Sequence, residues 1–497
     1  MKTEKLKQNV KGYVHQFEDG GLRLLRKGQK GVIHAIFSRF GLVLILLLLQ
    51  VGLLFSIFRW FGNLWPHYFG GSVVVTSAMV IYLLNSKMDN SAKITWMVVV
   101  AIAPVVGIPM FFYVKSNFGH NILRKRLLEL EDQLRGWLPQ SQKAVEQLKA
   151  LEPGAASLAK YLYGRGGGFP VYQNTAMTYF PGGEAKFEEL LRQLETAEEY
   201  IFVEYFIIDE GLMWGKILEV LARKALQGVD VRVMYDGTCE FSTLPRNYPR
   251  LLEKLNIQCK VFSPVQPFVS THYNYRDHRK ILVIDGRVGF TGGVNLADEY
   301  INHIQKHGRW KDAAVMLEGE AVRSLTAQFL QMWGILKEPE YEQFLTRPIP
   351  VPENAKGVAA PYGDCPLDGE RVGEMVYIDL LNRARDYIHI MTPYLILDGE
   401  LETALKFAAE RGVDVHLILP GKPDKQFPYA LAKSHYSALL DSGVKISEWS
   451  PGFVHAKVFV VDGREAVVGT INLDYRSLYH PVSYTHLRAH ETSLHLV

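Results

Sequence analysis

The chain carries one long motif twice, and this duplication constrains its fold more than any other feature. "HRKILVIDGRVGFTGGVNL" begins at His278, and "HAKVFVVDGREAVVGTINL" begins at His455. His, Lys, Asp, Gly, Arg, Gly, Asn and Leu recur in the two copies at identical spacing. A repeat with so long a period indicates duplicated domains rather than a solenoid of short units.

Strand-like and helix-like segments alternate before each motif. "FEELLRQLETA" and "WGKILEVLARKALQG" have helical spacing, whereas "YIFVEYFII" and "VDVRVMYDG" are of strand type. "ARDYIHIMTPYLIL" and "RGVDVHLILPG" repeat these strands in the second half. The alternation predicts an α/β fold, with a parallel or mixed sheet covered by helices. We expect a helical connector at 119–160, a first domain at 161–350 and a second at 351–479.

The N-terminal part is apolar enough to predict membrane helices. "GLVLILLLLQVGLLFSIFRW" begins at Gly41 and has no charge before Arg59. About 20 apolar residues, rising about 1.5 Å each, cross a bilayer core of roughly 30 Å. Within a membrane region at 41–118 we predict transmembrane segments at about 41–60, 70–85 and 94–114. The basic segment 1–40 has nine Lys or Arg and predicts a cytoplasmic N-terminus.

The topology of these segments stays open, because basic residues also follow the third one and favour the cytoplasm as well. Pro104, Gly107 and Pro109 make the third segment the candidate for a re-entrant or interfacial one. Net charge and cysteine content argue against some other classes of protein. The net charge of +3 does not favour a nucleic-acid partner, and three scattered cysteines predict neither a disulfide framework nor a metal site.

The repeated motif offers the residues for chemistry. Side chains two apart on a strand share a face, so His278 and Lys280 point the same way, as do His455 and Lys457. The aspartate seven residues on would lie roughly 23 Å from its histidine along a straight strand. The candidate catalytic set therefore includes Asp285 and Asp462, but the simplest role for these two is at the turn that follows each strand.

Two histidine–lysine pairs without a metal suit the transfer of a phosphodiester. One neutral imidazole would attack phosphorus as a nucleophile. The other, protonated, would give its proton to the oxygen of the leaving alcohol. The lysines, with Asn295 and Asn472, would bind the phosphoryl oxygens. This chemistry requires the two halves to face each other across one site, and it uses no cofactor.

These motifs resemble those of the phospholipase D superfamily from about Gly168 to about Tyr479. With the apolar segments in front, "GGVNLADEY" and "GTINLDYRS" resemble the bacterial cardiolipin synthases in particular. The resemblance implies two α/β/α sandwich domains facing each other, behind N-terminal transmembrane helices. It implies a multi-pass enzyme of the bacterial inner membrane with a cytoplasmic catalytic part.

The resemblance also implies a reaction and further roles. Two phosphatidylglycerols would give cardiolipin and glycerol, with His278 as nucleophile and His455 as acid and then base. Asp312 in "WKD" would orient His278. Phosphatidylglycerol, other anionic phospholipids and the membrane are the implied partners, and the oligomeric state stays open.

The chain departs from the family pattern near its end. Counting from His455, the family's second carboxylate, a glutamate, would fall at Ser483 and its asparagine at Pro481. The segment 480–497 reads as a foreign or aberrant tail without a closing strand. The missing glutamate leaves a non-catalytic protein that binds anionic lipids as an alternative. A hydrolytic phospholipase D or nuclease is another, because the motifs do not decide between water and a lipid hydroxyl as the acceptor.

Overall fold

The chain divides into two compact units, Arg26–Asn121 and Met1–Leu25 with Ile122–Val497. The computed structural model describes residues 15–16, 22–23, 65–86, 88, 90–115, 118–263, 276–335, 337–365, 369–479 and 483–489. Two short strands, β1 (His15–Gln16) and β2 (Leu22–Arg23), pair antiparallel. The predicted span at 41–60 and the rest of the basic segment 1–40 lie outside the described residues.

The smaller unit contains the helices α1 (Trp65–Leu84), α2 (Asn90–Ile102) and α3 (Pro104–Lys115). Their shared core is small and consists of Met79, Leu83, Val100 and Phe111. The predicted segment at 94–114 is thus divided between two helices, and α3 begins at a proline, which has no N–H to donate to a preceding turn. Among the helices that the structure describes, none is long and apolar enough to cross a membrane.

The first half of the larger unit is built around a seven-stranded mixed sheet with the order β3-β10-β8-β7-β4-β5-β6. β4 is parallel to β5, and β5 to β6, whereas the other neighbours are antiparallel. The strands are β3 (Thr175–Phe180), β4 (Tyr200–Tyr205), β5 (Asp230–Asp236), β6 (Gln258–Phe262), β7 (Lys280–Ile284), β8 (Val288–Gly292), β9 (Arg309–Lys311) and β10 (Ala314–Gly319).

The second half repeats this sheet with the order β11-β20-β18-β17-β12-β14-β15. Its strands are β11 (Val358–Asp364), β12 (Tyr387–Met391), β13 (Leu395–Ile396), β14 (Asp414–Pro420), β15 (Lys445–Trp449), β16 (Gly452–Val454), β17 (Val458–Val461), β18 (Glu465–Gly469), β19 (Leu473–Asp474) and β20 (Ser483–Ala489). β20 takes the place that β10 has in the first sheet. The expectation that the tail has no closing strand is therefore wrong, because Ser483–Ala489 pairs with both β11 and β18.

Helices cover the sheets, as the alternation predicts for an α/β fold. The helices are α4 (Phe118–Trp137), α5 (Gln142–Leu151), α6 (Pro153–Gly164), α7 (Gly183–Leu194), α8 (Leu212–Leu226), α9 (Cys239–Ser242), α10 (Tyr248–Glu253), α11 (Val322–Trp333), α12 (Tyr341–Leu345), α13 (Val372–Arg383), α14 (Gly399–Glu410), α15 (Gln426–Asp441) and α16 (Tyr475–Tyr479). The connector helices belong to the cores: Leu127 and Leu134 of α4 pack in the first half, and Leu148 and Leu158 pack in the second.

The two halves are joined beside the motif histidines. β9 of the first half pairs in parallel with β16 of the second, with Trp310 opposite Phe453. The backbone N–H of His455 then donates to the carbonyl of Lys311 at 2.7 Å. This short ladder fixes the start of the second motif against the end of the first.

Candidate active site

The structure brings both histidine–lysine pairs into one largely buried cluster of charged and titratable groups, called the chamber below. Each histidine lies just before its motif strand, β7 or β17, and each lysine lies at or next to the beginning of that strand. The pairs also interact electrostatically. Burial, Lys280, Lys457 and His455 lower the pKa of His278, and burial, Lys457 and Lys280 lower that of His455. The expectation that the halves face each other across one site therefore agrees with this geometry.

His455 is held by a carboxylate and an ammonium. Its Nδ1 lies 2.7 Å from Asp312 Oδ2 and 2.9 Å from Lys457 Nζ. Nδ1 cannot donate to Asp312 and accept from Lys457 at once, so a protonated Nδ1 leaves Nε2 as the free base. Burial, followed by Lys457, lowers the pKa of His455 to about 4, while Asp312 acts in the opposite direction.

Within the described part of the chain, no carboxylate contacts the ring of His278. Its Nδ1 is buried without a hydrogen-bond partner, and its ring lies edge-on to Phe206, with ring centroids 5.0 Å apart. Lys280 Nζ donates to the His278 carbonyl at 2.7 Å. Burial and the neighbouring lysines lower the pKa of His278 well below its ordinary value. Burial thus disfavours the charged form of both imidazoles, but their surroundings differ.

The prediction that Asp312 orients His278 is wrong, because its carboxylate binds the histidine of the other half. Burial by itself would raise the pKa of Asp312, but His455 and Lys457 bring it below its ordinary value. Asp312 follows β9 directly, and β9 pairs with β16, so the strand ladder between the halves brings the side chain to the interface. Gly293 packs so closely here that an added Cβ would lie 2.0 Å from Asp312 Oδ1.

The sheet register shows which residue of the second half is equivalent to Asp312. Ala314 of β10 pairs with Gly292, and Thr485 of β20 pairs with Gly469, which is the motif equivalent of Gly292. Asp312 lies two residues before Ala314, and Ser483 lies two residues before Thr485. Ser483 therefore occupies the position in the second sheet that Asp312 occupies in the first.

The motif aspartates lie at turns, as the strand spacing indicates, and a catalytic role for Asp285 or Asp462 stays a prediction. Asp285 accepts hydrogen bonds of 2.8–2.9 Å from the backbone N–H groups of residues 198–200. Asp462 accepts three bonds of 2.9 Å from residues 385–387. Both adopt positive φ, 51° and 52°, at the turn after the motif strand. Each one fixes the turn to the loop that enters the neighbouring strand.

The two motif asparagines bind protein groups. Asn295 Oδ1 accepts from the N–H of Ile207 at 3.1 Å, and its Nδ2 donates to Tyr300 Oη at 2.7 Å. Asn472 Nδ2 donates to Ser477 Oγ at 2.8 Å. These contacts order the loops beside the chamber, and phosphoryl binding by either amide stays a prediction.

Several residues near the chamber were not among the candidates. Lys186 of α7 is buried, and its Nζ donates to Tyr205 Oη at 2.9 Å. Burial lowers its pKa to about 7, and Asp312 opposes this. The rings of Tyr300 and Trp310 lie 5.4 Å from that of His455. A sequence signal existed for Lys186 alone, since it shares the apolar face of α7 with Leu190 and Leu194.

One group of carboxylates outside the chamber could hold a cation. Among the described residues, Glu374, Asp398 and Glu400 bring one ligand oxygen each within 4.8 Å of the others. Glu374 is already paired with Arg371 at 2.8 Å, and Asp398 caps α14 by accepting from the N–H of Leu401. Helix capping and this ion pair therefore account for the cluster, and the chamber itself presents imidazole and ammonium groups suited to an anion.

The chain is similar in sequence to several cardiolipin synthases and to the family model that describes them. The family model "Cardiolipin synthase, PLD-like domain" matches residues 190–333 and 377–486. A cardiolipin synthase of Geobacillus kaustophilus is 36% identical over 413 residues, which are 82% of this chain and 80% of that protein. One of Halalkalibacterium halodurans is 32% identical over 457 residues, 89% of this chain and 88% of that protein. An uncharacterized protein of Streptococcus mutans is 57% identical over 402 residues, 81% and 87% of the two chains.

Proposed function

This chain belongs to the cardiolipin synthase family with its phospholipase D-like domains, and from that premise we propose that it makes cardiolipin from two phosphatidylglycerols. It is a phosphatidyltransferase that releases glycerol and passes through a phosphohistidine. The observation that carries this proposal is the buried chamber in which one histidine–lysine pair from each half interacts with the other.

The first step forms a covalent intermediate. The neutral imidazole of His278 attacks the phosphorus of one phosphatidylglycerol, so a P–N bond forms as the P–O bond to glycerol breaks. His455, as imidazolium, gives its proton to the departing oxygen. Asp312 supports this assignment, because a carboxylate 2.7 Å from Nδ1 stabilises the protonated ring. No carboxylate among the described residues contacts His278, so its imidazole stays neutral, as a nucleophile must.

In the second step His455 acts as a base instead of an acid, and His278 is the leaving group. Neutral His455 takes the proton from a glycerol hydroxyl of the second phosphatidylglycerol. That oxygen attacks phosphorus, a P–O bond forms and the P–N bond to His278 breaks. The product is cardiolipin, and both histidines return to their initial state.

Charge in the chamber favours an anionic substrate. Lys280 and Lys457 are buried, and burial lowers the pKa of Lys457 to about 8. A phosphodiester between these ammonium groups and the imidazoles offsets the repulsion that lowers their pKa values. Substrate binding thus raises the pKa of His455 towards the range in which it can act as an acid.

The substrates place the enzyme at a lipid surface. We propose that residues 41–60 anchor the chain in the bacterial inner membrane, with the catalytic unit on the cytoplasmic side, as the basic segment 1–40 favours. A reporter fused after Lys115 tests how often the segments cross.

Expression of the full chain in bacteria that lack cardiolipin tests the function. Cardiolipin in the lipid extract supports the transferase, whereas phosphatidic acid without cardiolipin would identify a hydrolase. No change in either lipid, with normal amounts of folded protein in the membrane, would identify a non-catalytic lipid binder.

A phosphatidyl ester of para-nitrophenol separates the roles of the two histidines. This leaving group needs no proton, so His455→Ala should still release nitrophenol and accumulate the phosphohistidine. His278→Ala should release none. His416→Ala is the matched control, since this half-exposed imidazole binds Ser447 and lies on another strand. An equal loss of nitrophenol release in His278→Ala and His455→Ala would contradict the assignment of nucleophile and acid.

A further inference from the structure

An open groove lies beside β9. Along this strand the ring of Trp310 lies against His455, and successive side chains point to opposite faces. Arg309 and Lys311 therefore project away from the histidine chamber and into the groove. We propose that this groove is a second anion site, which binds the phosphate group of a phospholipid headgroup or of a free phosphate ester.

Among the residues that the structure describes, no carboxylate forms an ion pair with Arg309 or Lys311, the two cations of the groove. Lys311 Nζ donates to the carbonyl of Pro181 at 2.8 Å, and an ammonium has two further protons to give. Arg309 is exposed, and within the described part of the chain no hydrogen bond or ion pair engages its guanidinium. Burial lowers the pKa of Lys311, and Arg309 adds to the effect. A bound anion would relieve this repulsion.

A single carboxylate, Glu184, is among the residues that line the groove. Its Oε1 accepts from Asn302 Nδ2 at 2.9 Å. Asn302 also accepts from the N–H of Trp310 at 2.6 Å and donates to its carbonyl at 3.0 Å. Asn302 thus holds the carboxylate of Glu184 at the wall of the groove and also contacts the backbone of β9. Arg309, Lys311 and Glu184 together carry a net charge of +1.

The other walls of the groove are largely apolar. Pro181, Ala185, Trp310 and Trp449 line it. A forked guanidinium and an ammonium beside indole and aliphatic surfaces suit a phosphate attached to an apolar body. The site lies on the far side of Trp310 from His455, so it goes beyond the proposed transfer reaction and does not depend on it.

Binding to the full chain tests the site without turnover. In the His278→Ala background no lipid is consumed, and the quenching of tryptophan fluorescence reports ligand near Trp449. Inorganic phosphate, glycerol 3-phosphate and mixed micelles containing either phosphatidylglycerol or phosphatidylcholine are titrated in turn. Affinity for the soluble phosphates identifies a free phosphate ester as the ligand, and affinity for phosphatidylglycerol micelles alone identifies a lipid headgroup.

Charge variants attribute the binding to the groove. The double variant Arg309→Gln with Lys311→Gln should weaken binding by about tenfold or more. Glu184→Gln should strengthen it, because the amide keeps the contact with Asn302 and removes the negative charge. Lys433→Gln with Lys445→Gln removes two charges elsewhere and should change nothing. Unchanged affinity in the groove double variant, or an equal loss in the control, would overturn the proposal.

Discussion

Replacing Asp312 with asparagine tests the pairing of a carboxylate from one half with a histidine from the other. Asp312 is fully buried, and its Oδ2 lies 2.7 Å from His455 Nδ1. A hydrogen bond to a charged group contributes about 1.5–3 kcal/mol. The bond is strongest when His455 is an imidazolium, and about 1.36 kcal/mol corresponds to tenfold in rate. We therefore expect kcat to fall by about 10- to 150-fold.

The pH dependence gives this prediction a direction. His455 must be protonated to act as the acid, so the rate falls as pH rises past its pKa in the substrate complex. Without the carboxylate that pKa is lower, and the falling limb moves to lower pH. The measurement is the initial rate of cardiolipin formation in mixed micelles across the neutral range.

Two comparisons make the test specific. Asp285→Asn is the same substitution at a motif carboxylate outside the chamber, and it should leave the pH limb where it is. With the para-nitrophenol ester, Asp312→Asn should release nitrophenol at close to the original rate. An Asp312→Asn enzyme that keeps more than half its rate on phosphatidylglycerol, with an unmoved limb, would refute the reasoning.

The remaining predictions concern the turns and acid stability. Asp285→Ala should lower the free energy of unfolding by about 2–4 kcal/mol in urea titrations, because three N–H groups lose their acceptor. Burial lowers the pKa of His455 from 6.5 to about 4, so stability that is full above pH 6.5 should fall by up to about 3 kcal/mol as pH drops to 4. His455→Gln should flatten that slope, and an unchanged slope would contradict it.

Much of the fold could be predicted because the two halves repeat each other. The alternation of apolar runs and helical spacing indicated the α/β class, and the pattern around "WGKILEVLARKALQG" matched a helix that ends before Gly228, with φ at 97°. Spacing along a strand correctly put Asp285 and Asp462 at turns. These inferences depend on local geometry, which the sequence contains.

The contacts between the halves could not be predicted in this way. Whether Asp312 reaches His278 or His455 is decided by how β9 pairs with β16, and strand periodicity carries no information on that pairing. The segment 480–497 looked irregular by composition, yet Ser483–Ala489 fits between two strands, because backbone pairing on both sides tolerates many side chains. In the predicted membrane segment at 94–114, the helix is interrupted just before α3. The sequence signal for this interruption was Pro104.

Under the proposed mechanism, the short ladder between β9 and β16 also determines when a newly made chain can first cleave a phospholipid. A chain that has folded only its first half would contain the proposed nucleophile but not the proposed acid. The acid comes into place when the second sheet has formed and docked, because the backbone carbonyl of Lys311 then accepts from the N–H of His455. Folding of the second half would thus delay lipid cleavage until the chain is complete.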